Sequence, residues 1–151
     1  MPPDNPFSTL HHLSLVVRDI DAAERFLESI GVGPFFDYPP MSEYTKLDVP
    51  DREGFFNTVI RWVQIGPVQL QLVQPGEGRS IYKDFLEKNG EGVFHLGFVV
   101  PDIDAAEAGI KDSGLKVISR GRRANGSGFA YFDTADQCGV TLLVRQSPPA
   151  K

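Results

Sequence analysis

The sequence has very little cysteine, no excess of basic residues and no long hydrophobic run. Cys138 is the single cysteine, so no internal disulfide can form; this fits a reducing cytoplasm and a small, partly buried side chain. The net charge of −5 and the pI of about 5.1 argue against nucleic acid or an anionic membrane surface as a partner. The apolar runs are too short to span a bilayer, and the opening MPPDNPFSTL lacks the basic and apolar regions of a secretory signal. We therefore expect a cytoplasmic protein that does not act at a membrane.

The sequence contains an internal repeat, in a chain whose 41% hydrophobic content is ordinary for a globular protein. HLSLVVRDIDAAE, from His12 to Glu24, recurs as HLGFVVPDIDAAE from His95 to Glu107, an offset of 83 residues with ten identities in thirteen positions. In each copy the apolar, β-branched run after the histidine predicts a strand. Each copy ends with an Asp and a Glu three residues apart, which are Asp21 and Glu24 in the first copy. This is the spacing of a capping box that opens a helix.

Each copy continues in the same way, which predicts a duplicated module. Gly31 and Gly114 also lie 83 residues apart, each where the helix should end. Asn125-Gly126 predicts a tight turn between two strands. The further predicted strands are Val59–Ile65, Val68–Val73, Leu115–Ser119, Phe129–Asp133 and Val140–Arg145. We therefore predict an α+β fold in which two tandem βαβββ modules, about 10–75 and about 92–146 within one domain spanning 1–151, form a cupped mixed sheet with a central cleft.

The duplication gives the repeated histidines a functional interpretation. A lone histidine at a strand start is more often a packed, hydrogen-bonded residue than a ligand. Pseudo-twofold packing, however, brings equivalent positions together, and alternation along a strand puts His12 with Ser14, and His95 with Gly97, on one face. Neutral imidazole suits zinc, iron, nickel or cobalt, and manganese with oxygen co-ligands. The alternative is a polar pocket with ordered water. His11 should point to the opposite face and be structural or exposed.

With these motifs the chain resembles the vicinal oxygen chelate superfamily, which includes glyoxalase I, extradiol dioxygenases, methylmalonyl-CoA epimerase and bleomycin-resistance proteins. Its paired βαβββ modules cup a divalent metal, and the resemblance extends from about Leu10 to Arg145. Within the superfamily, IYKDFLEKNGEGVFHLGFVV (Ile81–Val100), and the YFDT of Tyr131–Thr134 followed by Gly139-Val140, resemble methylmalonyl-CoA epimerase-like members.

The resemblance implies a metal site and the pocket around it. His12 and His95 match the ligand histidines of the two modules, and Gln71 in GPVQLQLVQP matches a Glu or Gln ligand. The implied cofactor is a cobalt, nickel, manganese, zinc or iron ion. The fourth ligand of the family is normally a glutamate in a closing GVxxEL, but GVTLLV places Leu143 there, and leucine has no donor atom. The candidate substrate-pocket residues are Ser14, Gln69, Gly97, Thr141 and Leu143.

A long aromatic segment, FFDYPPMSEYTKLDVPDREGFFN at Phe35–Asn57, is the candidate source of a catalytic base. Its Phe, Tyr and Pro content favours a pocket wall or lid. Glu43 and Tyr44 are the candidate catalytic residues, because neighbouring aromatics desolvate a carboxylate and raise its pKa. Lys46 or Arg61 could meet an anionic substrate.

Two functions remain open from the sequence. The first is a metal-assisted isomerase, epimerase or lyase acting on a small oxygen-chelating carbonyl or acyl substrate, in which the metal polarises the carbonyl and a base moves a proton. The second is a metal-free member that binds or cyclises an apolar natural product, which Leu143 favours. In both cases the partner is a small molecule. Open sheet edges and the family resemblance also predict a homodimer.

Overall fold

The fold is built on one mixed sheet of nine strands. A computed structural model of the chain describes residues 5–149. The strands are β1 (Leu10–Val16), β2 (Phe36–Asp37), β3 (Tyr44–Asp48), β4 (Val59–Ile65), β5 (Val68–Gln74), β6 (Gly92–Val99), β7 (Val117–Arg123), β8 (Gly128–Phe132) and β9 (Thr141–Gln146). The helices are α1 (Ile20–Ser29), α2 (Arg52–Phe56), α3 (Ile81–Asn89), α4 (Ile103–Asp112) and α5 (Ala135–Cys138), with a 3-10 turn at Met41–Glu43. No helix in this part of the chain is long and apolar enough to cross a membrane.

The sheet order confirms the duplicated βαβββ modules. It runs β2-β4-β5-β1-β6-β9-β8-β7-β3. In each module the first strand pairs in parallel with the last, β1 with β5 and β6 with β9, and the remaining strands follow outward. The two modules meet where β1 and β6 pair antiparallel at the centre. The predicted β4 has the observed bounds, and the other predicted strands differ by one to four residues at their ends. The helix α3, between the modules, was absent from the prediction.

The two repeated helices begin differently from the prediction. Asp19 and Asp102, two residues earlier than expected, are the N-caps, and each side chain accepts a hydrogen bond from the backbone N–H three residues on. The prediction that a capping box opens each of these helices is therefore wrong. The acidic residues of the repeat instead bind arginines on the sheet. Asp21 and Glu24 accept hydrogen bonds from Arg61, and Asp104 and Glu107 accept them from Arg122.

The ends of these helices are equivalent, as predicted. Gly31 and Gly114 each follow the last turn with a φ of +96°, a left-handed conformation that favours glycine. Their backbone N–H groups donate to Glu28 and Lys111 of the preceding turn. Asn125-Gly126 forms the expected turn between β7 and β8, with Gly126 at a φ of +90°.

The aromatic segment 35–57 spans the cleft and contains regular secondary structure. The prediction of a pocket wall or lid therefore describes it only in part, because it did not include strands or a helix. It includes β2, β3 and α2, and its two strands lie at opposite edges of the sheet. In a flat sheet with strands about 4.8 Å apart, those edges would be about 38 Å from each other. The chain from Asp37 to Tyr44 reaches about 25 Å at most. The sheet must therefore curve into a cup, and β3 closes module two by pairing with β7.

The core lies on both faces of the cup. On the concave side, Val16, Tyr82, Phe94, Phe129 and Tyr131 belong to one buried aromatic cluster, with α3 packed against it. On the convex side α1 and α4 cover smaller clusters. Cys138 is exposed rather than partly buried, because it lies at the end of the short surface helix α5.

Candidate active site

The site centres on the two repeated histidines, which face each other across the junction of the modules. His12 lies on β1 and His95 on β6, and they are 3% and 1% exposed. Their Nε2 atoms are 2.9 Å apart, the distance of a direct hydrogen bond. The inference that the repeat brings both imidazoles to one place is therefore supported by the geometry.

Gly97 makes room for this arrangement. It is paired with His12 in the β1–β6 register. A Cβ atom at position 97 would lie 2.0 Å from Cε1 and 2.4 Å from Nε2 of His12, so the imidazole occupies the space that any side chain would need. The equivalent position in module one is Ser14, paired with His95, and its hydroxyl is buried without a hydrogen-bond partner among the described residues.

His11 extends the pair to a chain of three histidines. Its Nδ1 is 2.8 Å from Nδ1 of His12, so it orients the His12 ring instead of being an isolated residue on the opposite face. His95 Nδ1 is buried and has no partner in the described part of the chain. Because an orphaned buried N–H is rarer than an orphaned acceptor, we assign the His95 proton to Nε2, which donates to His12. His12 then carries its proton on Nδ1 and donates to His11.

All three imidazoles are neutral at pH 7. Burial is the largest cause, lowering the pKa of His95 to about 3 and that of His11 to about 4. The pKa of His12 is also well below its usual value, first through burial and then through the neighbouring histidines and Arg145.

The histidine pair adjoins a narrow cavity of about 30 Å³, enough for about two water molecules. Four predicted site residues line it: His12, Gln71, Tyr44 and Leu143. The other predicted pocket residues flank them through strand pairing. Gln69 is opposite His12, Ser14 is opposite Gln71, Thr141 is opposite His95, and Gly97 is opposite Leu143. The remaining lining residues are Tyr38, Met41, Ile60, Tyr82, Arg123, Gly128, Phe129, Tyr131 and Arg145.

Tyrosine hydroxyls supply donors at the cavity. The Tyr44 hydroxyl is 2.8 Å from that of Tyr38, and the hydroxyls of Tyr82 and Tyr131 are hydrogen-bonded to each other. Burial raises the pKa of Tyr44, Tyr82 and Tyr131, so these phenols are protonated at neutral pH. Tyr44 can therefore donate a hydrogen bond to a substrate oxygen, whereas a role as base is unfavourable.

Glu43 lies beside the cavity rather than in its lining. Its side chain is 50% exposed, and Oε2 is 3.3 Å from Nε of Arg123, without the alignment of a hydrogen bond. The Arg123 guanidinium stacks 4.3 Å from the centre of the Tyr44 ring. Glu43 and Tyr44 are thus joined through Arg123.

Sequence reasoning missed the two arginines of the cavity, Arg123 and Arg145. The available signal was position, since Arg145 follows Leu143 by two residues and therefore shares its strand face. Lys46 and Arg61 were named instead and are not among the lining residues. Arg61 is bound by Asp21, Glu24 and Asp37.

The donor set does not fit a resident divalent ion. His12, His95 and Gln71 are neutral, Leu143 is 3% exposed and has no donor atom, and no group of three His, Cys, Asp or Glu side chains suited to a metal occurs within residues 5–149. Two cationic arginines line the same cavity. A ligand histidine normally donates its second N–H to an acceptor, and His95 Nδ1 has none here. A dication would lack charge compensation.

Comparison with known proteins agrees with the fold and its duplication. The Bacillus subtilis protein YqjC, named as uncharacterized, is 29% identical over 135 residues, covering 88% of each chain. The ethylmalonyl-CoA/methylmalonyl-CoA epimerase of Cereibacter sphaeroides is 26% identical over 143 residues, covering 91% of this chain and 96% of that protein. A variant of Streptomyces coelicolor methylmalonyl-CoA epimerase, solved with 2-nitronate-propionyl-CoA, superposes with a TM-score of 0.70 at 26% identity, covering 95% of this chain and 99% of that one.

A family model covers most of the repeat-bearing region as well. It is described as the Glyoxalase/Bleomycin resistance protein/Dioxygenase superfamily and matches residues 11–132, which include both histidines of the central pair. The epimerase-like resemblance inferred from the motifs is confirmed by the named relatives. The chain belongs to the Glyoxalase/Bleomycin resistance protein/Dioxygenase superfamily.

Proposed function

We propose that the chain is an isomerase or epimerase that moves a proton at the carbon next to the carbonyl of a small acyl substrate. The observation that carries this proposal is the convergence of protonated donors on one narrow cavity. The hydroxyls of Tyr44, Tyr82 and Tyr131 lie at its wall, where low dielectric strengthens their interaction with a developing enolate oxygen.

The roles divide between a donor and a base. Tyr44 remains protonated and donates to the carbonyl oxygen as negative charge develops there. Glu43, half exposed at the rim, removes the proton from carbon and releases it to solvent, and a solvent-derived proton is then returned to the carbon as the enolate becomes the carbonyl again. Arg123 positions Glu43 and Tyr44 through its ion pair and its stacking contact. Because the donor set does not fit a resident dication, the proposal contains no metal step.

The relatives suggest which substrates to test first. The Cereibacter relative is named for ethylmalonyl-CoA and methylmalonyl-CoA, and the Streptomyces structure contains a propionyl-CoA analogue. We therefore propose a branched acyl thioester as the substrate class for this chain.

The test is exchange of the substrate proton with deuterium. Methylmalonyl-CoA and ethylmalonyl-CoA are incubated with the protein in D₂O and EDTA, and deuterium uptake is followed by mass spectrometry. We expect exchange in EDTA that Glu43→Gln slows by about 10²-fold or more. Tyr44→Phe should slow it by about 10²-fold because one oxyanion donor is removed.

Glu87→Gln is the matched control, since Glu87 is an exposed glutamate on α3. It should exchange at the wild-type rate. If neither thioester exchanges, the proposed substrate class is wrong. If exchange occurs only after a divalent metal is added, the metal-free assignment is wrong.

A second function has its own support in the cavity wall. Met41, Ile60, Phe129 and Leu143 are apolar lining residues, which suits an apolar natural product that is bound or cyclised. Such a ligand would raise the melting temperature of the wild type and of Glu43→Gln equally, without exchange. If the ligand no longer raised the melting temperature of Glu43→Gln, the result would favour the proposal that the chain is an isomerase.

We also propose that the protein forms a homodimer and acts in the cytoplasm. Phe26 on α1 and Ile30 directly after it are each 62% exposed, and Phe36 on the edge strand β2 is 52% exposed. Light scattering should give the mass of two chains, and Phe26→Glu should reduce it to one. A wild-type monomer at high concentration would contradict the dimer.

A further inference from the structure

We propose that Arg145 is a carboxylate-binding residue, because its guanidinium lines the cleft and, unlike that of Arg123, is not paired with a carboxylate of residues 5–149. The inference rests on the proposed function, because it names the group by which the acyl substrate is held. Arg145 lies on β9, two residues beyond Leu143, and lines the same cavity as His12 and Tyr44.

Arg145 differs from the other arginines that are at least partly buried in residues 5–149, because it lacks an acidic partner there. Within residues 5–149, the four other arginines that are at least partly buried each pair with a carboxylate: Arg61, Arg120, Arg122 and Arg123. Arg145 is partly buried as well, but in this region its only hydrogen-bonding contact is a 3.5 Å interaction with Ser147 Oγ. A partly buried cation of this kind is available to an anion from outside the chain.

The surroundings of Arg145 are arranged for an anion rather than a second cation. The nearby Tyr44 hydroxyl remains protonated and can donate. Among the described residues 5–149, none of those that line the cavity is acidic.

The geometry of the ligand follows from the guanidinium and the cavity size. A guanidinium offers two parallel N–H donors that match the two oxygens of a carboxylate. A space with room for about two water molecules has room for the two oxygens of one carboxylate. The assigned ligand is therefore the carboxylate of a short acyl compound.

The test measures binding of the carboxylate alone, so that it does not depend on turnover. Propionate and its uncharged analogue propionamide are titrated into the protein, with binding followed by NMR shifts of the histidine ring protons. We expect propionate to bind and propionamide to bind at least tenfold more weakly. Arg145→Gln should weaken the affinity for propionate by tenfold or more. Arg25 is an exposed arginine on α1, and Arg25→Gln should leave the affinity for propionate unchanged.

The outcomes separate this inference from the proposed function. Propionate binding that depends on Arg145 supports the inference even if no thioester exchanges deuterium. Exchange that occurs with unchanged propionate affinity and unchanged KM in Arg145→Gln overturns the inference but leaves the isomerase intact. The melting temperature of Arg145→Gln should equal or exceed that of the wild type, because within residues 5–149 the arginine has no ion pair to lose and only a 3.5 Å contact with Ser147. A clear fall in melting temperature would mean that Arg145 has a structural role, and would overturn the assignment.

Discussion

Replacing Gly97 by alanine tests the geometry of the histidine pair most directly. The added Cβ would lie 2.0 Å from Cε1 and 2.5 Å from Nδ1 of His12, so the imidazole must leave its position. That movement breaks the hydrogen bonds to His11 and His95, at about 1 kcal/mol each, and adds an overpacking cost of about 1–3 kcal/mol. We expect Gly97→Ala to lower the free energy of unfolding by about 3–5 kcal/mol.

The measurement is urea unfolding at pH 7, together with the melting temperature, which should fall by about 6–20 °C. Gly109→Ala is the matched control. Gly109 lies in the middle of α4 on its exposed side, and a Cβ added there would meet no atom of another element within 4 Å. Alanine at this position should therefore stabilise the helix by about 0.5–1 kcal/mol. A Gly97→Ala protein as stable as the wild type, with unchanged imidazole NMR signals, would mean that His12 does not lie over position 97.

Three further predictions follow from the charges and burial of the site. Leu143→Glu should cost about 2–5 kcal/mol without metal. It should also raise affinity for cobalt at least tenfold, because it adds the missing anionic ligand; a destabilised variant that calorimetry shows to bind no cobalt would mean that the cleft is not a depleted metal site. The pKa values of His95 and His11 are lowered in the folded state, so the unfolded chain takes up protons first as pH falls. Stability should therefore decrease from pH 6.5 toward about 4, by at most about 1.4 kcal/mol per unit for each histidine, and urea midpoints should show a smaller slope in His95→Gln. Arg122→Leu should lower the free energy of unfolding by about 2–4 kcal/mol, because Glu107, 9% exposed, keeps only Arg120 as partner; an unchanged melting temperature would contradict this.

The repeat explains why much of the fold could be predicted. Strand and helix periods are local, so Leu13–Val17 and its copy at Leu96–Val100 predicted two equivalent strands. Gly31 and Gly114 marked equivalent helix ends because a left-handed residue is a local requirement. The constant offset of 83 residues identified the duplication. Because duplicated modules place equivalent residues around one axis, the duplication also predicted the tertiary arrangement.

The failures have a common physical origin in long-range contacts. Asp21 and Glu24 have capping-box spacing, but Asp19 takes the cap because the pair binds Arg61, 37 to 40 residues away. That Arg145 has no carboxylate partner among residues 5–149 is likewise a property of the folded surroundings and leaves no local sequence signal. The positions of the candidate ligand residues could be predicted from the resemblance. Whether the cavity favours a bound metal cation or a bound anion depends on which charged side chains surround it in the folded chain.

The pairing of β3 with β7 has a consequence for how the chain folds. Tyr44 and Lys46 pair with Arg123 and Arg122, so an element near the start of the chain is completed by one made more than seventy residues later. A newly synthesised first half therefore holds β3 without its partner, and the Tyr44 side of the cavity cannot close until β7 has been made. Because β3 of the first half completes the sheet of the second, we expect that neither half reaches its native structure when it is produced alone.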